Sequence, residues 1–152
     1  MAYPTQSSRP IPPEVTSPYR EDFDEACKVI DLSPKASAAL SRRLLQAILR
    51  EKAGTKKRDL ADQIDEVVAA GQLPSYIRDD LHAVRNIGNF AAHTMKSTAT
   101  GVILDVEPGE AEWNLDVVES LFDFYFVAPA ADAKRKAELN AKLTAAGKPT
   151  IP

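Results

Sequence analysis

The sequence is poor in cysteine and has no long apolar run. Cys27 is the only cysteine among 152 residues, so neither an intramolecular disulfide nor a cysteine-based zinc site can form. We expect its side chain to be a small apolar filler on a helix. No apolar segment reaches the roughly 18 residues of a membrane-spanning helix, and the segment MAYPTQSSRPIPP lacks a charged stretch followed by an apolar one. The chain is therefore expected to be soluble and cytoplasmic, without membrane contact.

Motifs of several enzyme classes are absent as well. No serine or cysteine stands in a nucleophile motif, and the segment GNFAAH has a single glycine, which excludes a glycine-rich phosphate loop. The sequence also lacks the Glu-x-x-His motif with which helical bundles complete carboxylate metal sites. We therefore predict no cofactor and no resident metal.

The charged residues are unevenly distributed along the chain. A net charge of -3 gives no general case for nucleic-acid binding. However, residues 42–58 contain seven basic residues, whereas residues 105–123 contain seven acidic residues and no basic ones. This pattern predicts two surfaces of opposite charge.

Apolar residues recur at helical spacing through most of the chain, which predicts an all-α bundle of about five to six helices. The predicted helices run from a Ser17–Pro18 start to about Leu32, then over Ser33–Ala53, Asp59–Ala70, Pro74–His93, Pro108–Val127 and, after an interruption at Pro129, Ala130–Ala145. Gly54 and Gly71 are the expected stops of the second and third helices. Residues 94–107 predict a loop with a brief extended segment. Five prolines in residues 1–18 predict an extended arm, so we divide the chain into this arm and a helical domain over residues 19–148.

Two of the predicted helices carry polar strips of opposite charge. The basic stripe of the second helix consists of Arg42, Arg43 and Arg50. The acidic strip of the fifth helix consists of Glu112, Asp116, Glu119 and Asp123. Carboxylates at this spacing can share a divalent metal, but an acidic face that is solvated or lies against the basic stripe is the simpler interpretation. The basic stripe has three open interpretations: a partner for these acids, a dimer contact, or a contact with a phosphate backbone.

The predicted helix Pro74–His93 carries the most unusual polar face. One ridge of this helix, spaced i, i+4, i+7 and i+11, consists of His82, Asn86, Asn89 and His93. Arg85 lies roughly 80 to 100° from this ridge, within reach of its side chain. An arginine beside a histidine combines a cation that neutralises phosphate with a group that moves protons near neutral pH. The alternative is that Asn89 and His93 end the helix and Arg85 forms a salt bridge.

Three segments together resemble a known family: SRRLLQAIL, RNIGNFAAH and VEPGEAEWNLDVVESLFDFYFV. The resemblance is to the bacterial and phage-associated family known as domain of unknown function 4145, and it covers residues 19–148. That family is similar to the HEPN superfamily (higher eukaryotes and prokaryotes nucleotide-binding), whose helical bundles commonly dimerise. Many members are metal-independent ribonucleases, and others are non-catalytic partners in toxin-antitoxin, restriction or other defence systems. The resemblance therefore implies a HEPN-like bundle and a homodimer.

The resemblance also implies roles for individual residues. In the catalytic HEPN pattern an arginine, often followed by asparagine, precedes a histidine by a gap of four to six residues, whereas seven residues separate Arg85 from His93 here. In an active protein, His93 would move protons at the ribose 2′-hydroxyl and the leaving oxygen. Arg85 would stabilise charge on the phosphate, and Asn86 and Asn89 would orient these groups.

The lengthened spacing favours a non-catalytic or weakly active HEPN-like module. We expect it to dimerise or to dock onto an RNA or protein partner, in a bacterial or phage defence or counter-defence setting. The alternative is a metal-independent endoribonuclease that uses Arg85 and His93. The residues expected to contact nucleic acid or a partner are His82, Arg42, Arg43 and Arg50.

Overall fold

The computed structural model of the chain describes residues 9–97 and 108–152, and it describes side chains for residues 9–86 and 109–152. The described residues form six α-helices and one π-helical turn and contain no strand, which confirms the predicted all-α class. The elements are α1 (Tyr19–Val29), α2 (Pro34–Glu51), α3 (Leu60–Ala69), α4 (Ser75–Ser97), α5 (Pro108–Phe122), the π turn (Asp123–Val127) and α6 (Ala128–Ala145). The brief extended segment predicted before Pro108 lies outside the described residues. None of the helices within the described ranges is both long and apolar enough to cross a membrane.

Helix α2 is the centre of the bundle, as its wide apolar face predicts. It packs against α1, α3 and α5. Its buried apolar residues are Ala38, Leu44, Leu45, Ile48 and Leu49. Two buried serines of α2 keep their hydroxyls paired, because Ser37 donates to the Ala26 carbonyl at 2.7 Å and Ser41 donates to the Ser37 carbonyl at 2.8 Å. The first of these hydrogen bonds joins α2 to α1, and the second lies within α2.

Aromatic rings in edge-to-face contact join α1 to the end of α5. Phe23 meets Phe122 at 5.2 Å between ring centroids, Phe122 meets Phe126 at 5.8 Å, and Phe126 meets Tyr19 at 5.2 Å. All four rings are buried. The sequence predicts deep packing for the other aromatic residues of this helix as well, but three of them are only half-buried: Trp113, Phe124 and Tyr125. The aromatic core therefore contains fewer fully buried rings than the sequence predicts.

Helix α2 starts as predicted and ends at Glu51, two residues before the predicted end at Ala53. Ser33 is its N-cap, with a hydroxyl that accepts a 3.1 Å hydrogen bond from the Ala36 amide, and Pro34 is its first residue. Gly54 and Gly71, which follow α2 and α3, have φ angles of +75° and +73°. Glycine adopts this left-handed conformation without steric cost, so the two predicted stops are confirmed.

The predicted boundaries of α1 are wrong at both ends. Pro18 occupies the N-cap position, and the Ser17 hydroxyl donates a 2.6 Å hydrogen bond to the Glu21 carboxylate instead of capping the backbone. The helix ends at Val29 rather than at Leu32. Because α2 follows at once, the residues between the two helices form the turn, and Leu32 is left 87% exposed.

Helices α5 and α6 form one continuous rod through the π turn. The sequence predicts an interruption at Pro129, but α6 begins at Ala128 and continues to Ala145. Proline lacks an amide hydrogen, and in a regular helix its ring clashes with the carbonyl four residues earlier. The π turn widens the helix just before the proline, and its last bond joins the Ala128 amide to the Asp123 carbonyl, five residues back. The widened turn accommodates Pro129 without ending the rod.

The described part of the N-terminal arm packs onto the bundle. Val15 is fully buried, and Ile11 lies partly buried against the core. Arg20 of α1 holds the arm through hydrogen bonds from its guanidinium to the carbonyls of Pro12 at 2.7 Å and Val15 at 3.2 Å. Residues that the sequence separates from the helical domain thus contribute to its core.

The Tyr19 hydroxyl links the start of α1 to the end of α2. It donates a 2.7 Å hydrogen bond to the Glu51 carboxylate. Burial, and then this hydrogen bond, raise the pKa of Tyr19 to about 12, whereas a tyrosine in an unfolded chain ionises near pH 10. Stability that depends on the protonated phenol is therefore complete below about pH 10 and is lost as the pH rises through the folded-state pKa.

Replacing Tyr19 with phenylalanine is expected to remove this alkaline loss of stability. At neutral pH the same change should lower the free energy of unfolding by about 1 kcal/mol, because one hydrogen bond disappears. Urea unfolding at intervals between neutral pH and the folded-state pKa measures both effects. Tyr76→Phe is the matched control, since Tyr76 is 59% exposed. An alkaline loss of equal size in wild type and Tyr19→Phe would contradict the prediction.

Candidate functional site

Helix α4 is continuous from Ser75 to Ser97. The expectation that the helical pattern breaks after His93 is therefore wrong, and so is the alternative in which Asn89 ends the helix. Residues 94–97, TMKS, contain neither glycine nor proline, and an established helix extends over such residues at little cost. Positions 82, 86, 89 and 93 consequently follow one another along one side of an unbroken helix.

Arg85 makes a two-point contact with Asp65 of α3. Its Nη2 atom donates a 3.0 Å hydrogen bond to Oδ2, and its Nε atom lies 2.9 Å from Oδ1 as an ion pair without hydrogen-bond geometry. The side chains of Arg85 and Asp65 are 30% and 50% exposed, so the pair contributes no more than about 1 kcal/mol of stability. One edge of the guanidinium is nevertheless occupied, as the salt-bridge alternative predicts.

The ridge residues divide into two groups. His82 and Asn86 are exposed to solvent on α4. The side chains of Asn89 and His93 lie outside the described residues. The convergence of Arg85 with His93 thus stays a prediction.

The three arginines of the basic stripe do not share one environment. Arg43 and Arg50 are exposed, whereas Arg42 is half-buried and donates a 3.4 Å hydrogen bond to the Val84 carbonyl of α4. Burial lowers the pKa of Arg42 below its usual value. Arg42 joins α2 to α4, while Arg43 and Arg50 present their side chains to solvent. Their contact with nucleic acid or a partner stays a prediction.

Arg9 of the N-terminal arm binds the middle of the acidic strip. Its Nη1 atom donates to Asp116 at 2.6 Å and to Glu119 at 2.7 Å. Burial alone would lower the pKa of Arg9, but the hydrogen bonds and negative charges of these two carboxylates raise it. The interpretation that the acidic strip lies against the basic stripe is therefore wrong for these two carboxylates. In the described part of the chain, no cluster of three or more His, Cys, Asp or Glu could hold a metal ion.

Sequence reasoning predicted a salt bridge for Arg85 as an alternative but not its partner, and it missed the contact of Arg9 altogether. Asp65 lies 20 positions from Arg85, and Asp116 lies 107 positions from Arg9. No local spacing rule connects residues this far apart. One signal was present for the arm: Arg9 is the only charged residue in MAYPTQSSRPIPP. A single cation in a proline-rich arm is a candidate for pairing with an acidic strip elsewhere in the chain.

A cavity of about 130 Å³ lies between the end of α2, α3 and the π turn. Its lining includes Lys52, Thr55, Glu66, Phe124 and Tyr125. Two polar groups of its wall already have partners: the Thr55 hydroxyl accepts from Gln63 at 3.3 Å, and Glu66 accepts from the amides of Lys56 and Lys57. Ligand pockets are usually about 300 to 1,000 Å³. We therefore assign no substrate to this cavity.

The family of the chain follows from a comparison with known proteins. No curated protein and no solved structure matches the chain. A family model described as Domain of unknown function (DUF4145) matches residues 24–144. This match covers all of α2 to α5 and the π turn, about half of α1 and all but the last residue of α6, so it includes the candidate site. The chain therefore belongs to the DUF4145 family.

Proposed function

We propose that the chain is a HEPN-like helical module that dimerises or docks onto a partner and does not cleave RNA. The setting that fits this role is bacterial or phage defence or counter-defence. The observation that carries the proposal is the two-point contact between Arg85 and Asp65. Arg85 is the residue that the catalytic alternative needs as a free cation.

The contact opposes catalysis in two ways. A cation that stabilises a phosphoryl transition state has to direct its N–H groups at the developing charge. In this chain the Nε and Nη2 atoms of Arg85 face the Asp65 carboxylate. The carboxylate also places a negative charge beside the guanidinium, where it would repel a phosphate. Arg85 is better suited to hold α3 against α4 than to bind a scissile phosphate.

Helix α6 supports the docking role. None of its 18 residues is buried. Among the helical elements of the described chain, α6 contacts only the π turn from which it continues. Outside the helices, Ile151 contacts α6 through two hydrogen bonds between its backbone and the Asn140 side chain. A helix that extends from a packed bundle with most of its residues exposed offers a surface to another molecule.

A metal-independent endoribonuclease is the second candidate, and the continuity of α4 through Ser97 favours it. Because the helix is unbroken, positions 86, 89 and 93 lie along one side despite the lengthened gap after Arg85. His93 would then move protons at the ribose 2′-hydroxyl and the leaving oxygen, with Asn86 and Asn89 orienting the reacting groups. Two copies of the site would face each other in a dimer.

Incubation of the purified full chain with mixed RNA in EDTA separates the two candidates. The variants are Arg85→Ala and His93→Ala, and Asp65→Ala is the matched control because it breaks the ion pair but keeps the arginine. We expect intact RNA with wild type and with all three variants, and a mass above that of a monomer in light scattering. Cleavage that His93→Ala abolishes and Asp65→Ala preserves or increases would overturn the proposal.

A further inference from the structure

Helix α6 reaches away from the bundle. Its 18 residues extend about 27 Å at the rise of an α-helix, and they continue the line of α5 through the π turn. Leu139, near the middle of α6, is 43% exposed. An isolated helix of this length is marginally stable in water, although its many alanines favour it. Contact with a second molecule would stabilise α6.

Two basic residues of α6 and two acidic residues of α5 have matching spacing. One face of α6, at i, i+4 and i+7, consists of Arg135, Leu139 and Lys142. Three positions of the acidic strip have the same spacing: Glu112, Asp116 and Glu119. When two α5–α6 rods run antiparallel, one register places Glu112 opposite Lys142 and Glu119 opposite Arg135. Both pairs fit together because Glu112 and Glu119 are seven residues apart, as are Arg135 and Lys142. The intervening spacing reverses in an antiparallel pair, so Asp116, which already binds Arg9, lies opposite Glu138.

The side chains of this register are accessible. Glu112 and Lys142 are exposed, and within residues 9–86 and 109–152 neither has an ion pair. Arg135 has a local pair with Asp132 at 2.8 Å, but both side chains are more than half exposed and such a pair exchanges at little cost. Glu119 already accepts from an arginine of the arm, so the strip binds guanidinium groups within its own chain.

Asp79 and Asp80 of α4 add negative charge beside the strip. Burial raises the pKa of Asp80, and the nearby carboxylates of Asp79 and Asp116 raise it further. Carboxylates that repel one another favour the approach of a cationic partner. Arg135 and Lys142 of a second α6 have the charge that these carboxylates attract.

We propose that α6 of one copy docks along the acidic strip of a second copy, with the two rods antiparallel and related by a two-fold axis near Val127. This proposal rests on the proposed function and names the partner as a second copy of this chain. Because α6 continues from α5 in a single rod, it does not fold back onto the acidic strip of its own chain. The symmetry makes the contact twice, once for each α6.

The test introduces one cysteine in α5 and one in α6, at two positions that face each other in the proposed dimer. The full chain carries Glu112→Cys and Lys142→Cys together, and mild oxidation is followed by electrophoresis without reductant. The two positions are 30 residues apart on one rod, about 45 Å, so a disulfide between them within one chain is excluded. Cys27 is buried and its pKa is raised to about 11, which keeps it out of the reaction. The matched control carries Glu112→Cys and Lys134→Cys, since Lys134 is also exposed but lies on another face of α6.

We expect the first variant to shift to twice the 16.6 kDa mass of the chain and the control to stay at the monomer mass. Equal cross-linking in both variants overturns the register. A chain that is dimeric in light scattering but cross-links in neither variant overturns this interface and leaves the proposed docking function standing. A wild-type chain that is a monomer at every concentration and captures no partner overturns both.

Discussion

Replacing Phe122 with alanine is expected to lower the free energy of unfolding by about 3 to 5 kcal/mol. Phe122 is 1% exposed and contacts the rings of both Phe23 and Phe126. Its removal therefore creates a cavity at the point where α1 meets the end of α5, and it also removes two edge-to-face aromatic contacts. A loss of this size is a large fraction of the stability of an ordinary domain.

Urea unfolding followed by circular dichroism measures the loss. Phe124→Ala is the matched control, because Phe124 lies two positions further along the same rod and is only half-buried. We expect the control to lose about 1 to 2 kcal/mol, since less apolar area leaves water at this position. Equal losses at the two positions would contradict the description of the aromatic core.

Replacing Gln63 with glutamate should cost about 3 to 5 kcal/mol at neutral pH, although the two side chains have nearly the same shape. Gln63 is 0% exposed at the crossing of α2 and α3, and its Oε1 atom has no hydrogen-bond partner. Its amide nitrogen donates long hydrogen bonds to the Gln46 carbonyl at 3.4 Å and to Thr55 at 3.3 Å. An ionised carboxylate here is buried without a cation and loses the donor that the amide supplies.

The cost of Gln63→Glu depends on pH in a defined direction. Burial raises the pKa of a carboxyl group above the value of about 4.3 that it has in an unfolded chain. The penalty is therefore small below about pH 4 and grows as the pH rises through the folded-state pKa. Gln63→Leu is the control, because it fills the same space without a charge and should show no added pH dependence. Urea midpoints of both variants, compared with wild type at several pH values, measure the difference. Parallel pH profiles for the two variants would contradict the burial of this position.

Much of the fold could be predicted from the sequence, because local patterns determine it. The apolar face of α2 predicts a central helix. The Ser33–Pro34 pair predicts the start of α2, and the two glycine stops predict where α2 and α3 end. The local pattern predicts the wrong helix boundary at two places. Pro129 ordinarily ends a helix, but the π turn just before it admits the ring. Residues 94–97 have no apolar period, and yet α4 continues over them.

The contacts of the candidate site could be predicted only in part. The position of Arg85 on α4 and the possibility of a salt bridge follow from the sequence, but the identity of its partner does not. Asp65 meets Arg85 only because α3 packs against α4, and this packing depends on the whole bundle. The same reason applies to Arg9, whose partners on α5 are close in space and distant in sequence. Spacing rules describe one helix at a time, so contacts between helices require the tertiary structure.

Light scattering of the full chain, for wild type and two charge-reversal variants, shows whether two copies associate through α6 and the acidic strip. Wild type at low salt is expected to have twice the mass of 16.6 kDa and to dissociate in about 1 M salt, where charges are screened within about 3 Å. Lys142→Glu should be a monomer, because the reversed charge repels Glu112. The double variant with Glu112→Lys should recover the dimer. A dimer that Lys142→Glu leaves unchanged, or a wild-type chain that is a monomer at low salt, would contradict the proposed contact between α6 and the acidic strip.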